Sequence, residues 1–146
     1  AVAVVSGPAA MMPYTIRIAV QTSFLIARWQ SMHRLSVTDV PISILHWYRI
    51  SANCDCHGEN DAPILPDIGM FASFDPVALD QACADACLKA TPIANSQLGE
   101  HLAEPGWHCH HDHFKDSNPN IEWKATLDQA EKIGLGTREY ELKIIK

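Results

Sequence analysis

Three thiols and several carboxylates fall in the span Asn53 to Asp85, NCDCHGENDAPILPDIGMFASFDPVALDQACAD. Cys54 and Cys56 alternate along an extended chain, so both thiols can face one side with Asp55 turned away. Thiolates suit zinc or an iron-sulfur centre, although two of them need further ligands to close a site. The same spacing also fits an ordinary pair of cysteines at a strand end. Asp61, Asp67, Asp75 and Asp80 add hard oxygen donors that could hold a divalent cation or orient an acid-base group. Asp75 stands directly before Pro76 and is better placed as a helix cap. Asp67, after Pro66, can bind its own turn. Asp80 is the strongest functional candidate of the four, because it falls inside a helix among apolar neighbours, where an unpaired charge is costly.

Cys83 and Cys87 are four apart and share a helix face one turn beyond Asp80. They could extend the Cys54–Cys56 pair to four thiolates, or serve as small core residues. A second group, WHCHHDHF at Trp107 to Phe114, places His108, His110, His111 and His113 beside Cys109 and Asp112. Imidazoles at this density suit zinc, copper or nickel, and equally make a solvated loop patch. The candidate metal ligands are therefore Cys54, Cys56, His108, His110 and His113. The candidate cofactor-contacting residues are Cys54, Cys56, Asp61, Asp67 and Asp80. Neither a nucleophile elbow, G-x-S-x-G, nor a phosphate loop ending in Lys-Ser or Lys-Thr occurs. Hydrolase and nucleotide readings have no support from motifs.

The elements that must position these groups follow Cys56. His57 to Pro63 reads as a polar loop, and Ile64 to Ser73 holds a short apolar run suited to a buried strand. Pro76 then opens a helix expected to reach about Ala90, ahead of Pro92. Ile93 to Glu104 can hold a second short helix, stopped by Pro105-Gly106. Trp107 to Asn120 reads as a polar loop outside the core. Ile121 to Ile133 places Trp123, Leu127, Ala130 and Ile133 on one helix face, with Gly134 set to terminate it. Tyr140 to Ile145 can close the fold as a strand. This alternation predicts an α/β class, a single layered domain of mixed strands and helices.

Composition sets outer bounds. The chain has 146 residues, 47% hydrophobic and 19% charged, an ordinary balance for a soluble globular protein. A net charge of -6 without a Lys/Arg-rich run argues against nucleic acid as a partner. Five cysteines, an odd number in no disulfide-rich pattern, point to a reducing compartment, with the cytoplasm as the expected location. The apolar stretch Ala1 to Ile26 is interrupted by Pro8, Pro13, Arg17 and Gln21-Thr22-Ser23, so it predicts neither a membrane span nor a secretory signal.

The words CDC (Cys54 to Cys56), DAPILPDIG (Asp61 to Gly69), FASFDPVALDQACAD (Phe71 to Asp85) and AEKIGLGTREYEL (Ala130 to Leu142) carry a resemblance. In that order they resemble the uncharacterised iron-sulfur centre proteins of domain of unknown function 362. The resemblance implies redox or electron-transfer work with a redox partner protein. It also implies an iron-sulfur cluster held by ferredoxin-like repeats that this chain lacks, or a divalent metal ion. It divides the chain into a family-unlike segment, 1–50, and the C-terminal part of such a domain, 51–146, so the fold is expected to be incomplete. Permitted codons for Ala27 to Ile50, read two nucleotides later, allow KMAEYASAVSDGRPNIHFTLVSDI, which has the family's wording. A frameshifted translation of much of residues 1–50 is therefore expected, the alternative being a divergent N-terminus. Two further readings stay open. One is a divalent-metal-dependent enzyme in which Asp67 and Asp80 act with a cation on a small anionic substrate, and the other is a structural half-domain without its own chemistry.

Overall fold

The computed structural model describes residues 2–6 and 43–47 as strands, and residues 50–53 and 62–145 with their side chains. Cys54, Cys56 and Asp61 lie outside the described residues. In chain order the elements are β1 (Val2–Ser6), β2 (Ser43–Trp47), β3 (Gly69–Ser73), α1 (Pro76–Lys89), α2 (Gln97–Ala103), α3 (His113–Ser117), α4 (Lys124–Lys132) and β4 (Glu141–Ile145). Residues 50–145 are mostly helical: four helices, with two strands, β3 and β4, that do not pair with each other. β1 lies between those two, parallel to β3 and antiparallel to β4, while β2 flanks β3 antiparallel, giving the order β2-β3-β1-β4. Strands and helices are mixed as expected. The weight falls on the helices, and strands β1 and β2 arise in the segment set apart as family-unlike.

β3 alternates, with Gly69, Phe71 and Ser73 buried and Met70 and Ala72 half-buried, so one face of the strand meets the core. Asp75 and Pro76 convert strand to helix. The carboxylate caps the first free amides, and proline at the start of α1 forfeits a donor that has no intrahelical partner. α1 is apolar on nearly every side because it lies between two clusters. Val77, Ala84 and Cys87 pack with Ile64, Leu65, Leu98, Phe114, Trp123, Leu127 and Leu135, whereas Ala78, Leu79, Ala82 and Cys83 pack with Phe71.

The helical ends follow the sequence signals. Ser96 caps α2 through the amide of Gly99. α4 ends in a Schellman turn, with Gly134 at φ 74, its amide on Glu131, and the amide of Leu135 on Ala130. One expectation is overturned: Trp107 to Asn120 is not all polar loop outside the core. It contains α3, and Asp112, Phe114, Asp116 and Ser117 are buried there. Phe114 packs against Trp123, ring centroids 5.2 Å apart, and so draws a polar sequence inward.

Candidate functional site

Site residues are carried by α1 and by the turn that precedes it. Asp75 is buried, and Oδ1 accepts the amides of Val77 (2.9 Å) and Ala78 (3.0 Å). Its Oδ2 accepts the amide of Thr137 at 2.9 Å, and its own amide donates to Ser73 Oγ at 3.0 Å. The cap expected at Asp75 is present. It also clasps the Gly134–Thr137 loop, a second task the sequence reading did not give it. Gly136 permits that approach, since a β-carbon there would lie 2.1 Å from Oδ1 of Asp75. The available signal was the Gly-x-Gly spacing in IGLGT.

Asp80 lies one turn farther on and is fully buried, with no hydrogen-bond partner among the described residues for either carboxylate oxygen. Burial pushes its carboxyl well above the ordinary range, which favours the neutral form. The proposed companion, Asp67, is exposed. Cys83 and Cys87 are buried cysteines outside any disulfide, one in each apolar cluster, and burial pushes the Cys87 thiol up to about 12. That protonated state suits a core residue and not a thiolate ligand. Also on α1, Asp85 accepts from Gln81 Nε2 at 2.8 Å and from the Tyr140 hydroxyl at 2.6 Å. Burial, then the hydrogen bond and the charge of Asp85, push the Tyr140 phenol up to about 12.

The histidine-rich loop is organised by two aspartates. Asp112 Oδ1 caps α3 through the amides of Phe114 and Lys115, and its Oδ2 accepts the Trp123 indole N–H at 2.9 Å. Asp116, a residue the sequence reading passed over, accepts the amides of His110 (2.7 Å) and Asp112 (3.3 Å) and the Cys109 thiol (3.6 Å). Burial opposes its charge most, but those donors outweigh it and hold the carboxyl below its ordinary value; the Trp107 indole adds to this, short of a well-formed hydrogen bond. His113 Nε2 donates to the Ala90 carbonyl at 3.0 Å, while His108 and His110 stack edge to face at 5.1 Å. His108 and His110 thus contact each other, while His113 is engaged by the end of α1. Among the described residues no three His, Cys, Asp or Glu side chains form a group that could hold a metal ion.

Residues 26–85 match the family model described as Domain of unknown function (DUF362). That match covers 60 of the chain's 146 residues. The DUF362 match takes in the Cys-Asp-Cys segment and ends at Asp85, within α1. It also includes residues 26–50, the stretch the sequence reading set apart, and leaves out IGLGTREYEL. No curated protein and no solved structure matches the chain. No helix of the described residues is long and apolar enough to cross a membrane.

Proposed function

We propose that this protein works in iron-sulfur or metal-associated redox and electron-transfer chemistry, with Cys54 and Cys56 as the thiolates it contributes. The observation carrying the proposal is the DUF362 match itself, which spans the Cys-Asp-Cys at 54–56 within wording that resembles iron-sulfur centre proteins. The described cysteines do not fit a cluster: Cys83 and Cys87 belong to the apolar core, and Cys109 sits exposed on a separate loop. Ligands beyond Cys54 and Cys56 must then come from other residues or another polypeptide. A layered α/β architecture and a cytoplasmic setting belong to this reading, the latter supported by Cys83, Cys87 and Cys109, which form no disulfide.

A second reading, a divalent-metal-dependent enzyme acting on a small anionic substrate, draws support from the buried, unpartnered carboxylate of Asp80. Among the described residues no metal-holding group includes Asp80, and Asp67 is exposed. Anaerobic purification of the full chain with iron, acid-labile sulfide and zinc analysis separates the two. Iron with sulfide, lost in the Cys54→Ala/Cys56→Ala variant, supports the first. A single divalent ion lost in Asp80→Asn supports the second, and a metal-free protein refutes both and leaves a structural role.

A further inference from the structure

β4 is an edge strand whose one neighbour among the described residues is β1. All five of its residues are exposed, Leu142 by 43%, Ile144 by 65% and Ile145 by 54%. The Tyr140 hydroxyl donates to Asp85 on α1, which places Tyr140 on the α1 side of the sheet. Side chains alternate along a strand, so Leu142 and Ile144 share that side, while Glu141, Lys143 and Ile145 occupy the other. α1 packs over β1, β2 and β3 and leaves Leu142 and Ile144 open. An uncovered apolar edge of this kind invites another strand.

We propose that β4 pairs with β4 of a second copy of this chain, antiparallel about a two-fold axis at Leu142. The sequence of the strand selects that register. With Leu142 opposite Leu142, Glu141 faces Lys143 of the second copy and Lys143 faces its Glu141, so two ion pairs form on one side. On the α1 side Leu142 meets Leu142 and Tyr140 meets Ile144 in both directions, an apolar row. A register centred one residue later sets Lys143 against Lys143, with like charges opposed. Lys143 thereby guards the edge against indiscriminate pairing, and the Glu141 of an identical strand satisfies it. The contact is isologous, and it joins two four-stranded sheets into one. A strand of five residues makes a small interface, so the dimer forms in a concentration-dependent way.

The test is sedimentation of the full chain over a concentration series for the natural sequence, Glu141→Lys, Lys143→Glu and the double exchange. Both residues are exposed, and circular dichroism checks that each variant keeps its fold. Each single reversal replaces two ion pairs by two like-charge pairs and is expected to weaken dimerisation roughly tenfold. The double exchange restores the pairing and with it the dimer. A chain that stays monomeric throughout, a dimer indifferent to the single reversals, or a double variant no tighter than the singles overturns the proposal.

Discussion

The carboxylate of Asp75 lies against the α-carbon of Gly136, close enough that a methyl group added there would fall 2.1 Å from Oδ1. This contact ties the start of α1 to the loop leaving α4. Asp75→Ala is expected to cost roughly 2–3 kcal/mol, more than a helix cap alone, because the Thr137 amide also loses its acceptor. Gly136→Ala should destabilise by displacing the same carboxylate. Denaturant melts of both single variants and the double variant check this: the double variant should lose less than the sum, and strict additivity would show the two residues to be uncoupled.

Asp80 makes stability depend on pH in an unusual direction. Its carboxyl is raised in the folded state, so the fold binds the proton more tightly than the unfolded chain does. The contribution is fully present below the unfolded value of about 3.9 and declines as pH rises toward the folded value, at up to about 1.4 kcal/mol per pH unit. Asp80→Asn keeps the shape without the ionisation. Its thermal midpoint should match the natural protein near pH 4 and exceed it increasingly toward pH 8; an equal difference at every pH would refute the buried neutral acid.

One of the three tyrosines, Tyr140, should titrate late. Its folded value of about 12 exceeds the ordinary 10.0, so its share of stability is present below pH 10 and lost as pH rises through about 12. Ultraviolet titration of phenolate is expected to show a late component that disappears in Tyr140→Phe. Persistence of that component in the variant would assign it elsewhere.

Asp116 has the opposite sign. Its carboxyl is depressed in the fold, so its stabilisation is present above the unfolded carboxylate value, about 3.9, and disappears as pH falls through and below it. Asp116→Asn should destabilise the protein at pH 7 and flatten the acid limb of its stability curve. Cys109, whose thiol donates to that carboxylate, should gain reactivity toward alkylating reagents in the variant. Unchanged melts at pH 7 would show that the loop stands without the charge.

Much of the helical architecture was legible because its signals are local. Asp75-Pro76, Ser96, Pro105-Gly106 and Gly134 set helix ends through backbone geometry that neighbouring residues determine. Phe114 was misread for the opposite reason: its burial depends on Trp123, and the polar residues around it conceal an inward-facing side chain. Asp116 escaped notice because its partners are mostly backbone amides, which leave no mark in the identity of the residues that supply them. The burial of Asp80 was legible from its apolar neighbours, although its partner was sought at Asp67, and the exposure of Asp67 could be learned only from the fold. β1 and β2 were not anticipated, since their pairing is set by β3 and β4 across long stretches of chain.

The register of β1 also bears on the order in which the molecule assembles. It aligns Val2 with Ile145 and, on its other edge, with Met70. Both pairings close very long loops, whose entropic cost must be met before any ladder forms, while the helices between Pro76 and Lys132 need only nearby residues. The helical part should therefore form early and the sheet last. In native-state hydrogen exchange, the amides of β4 should open before those at the centre of α1.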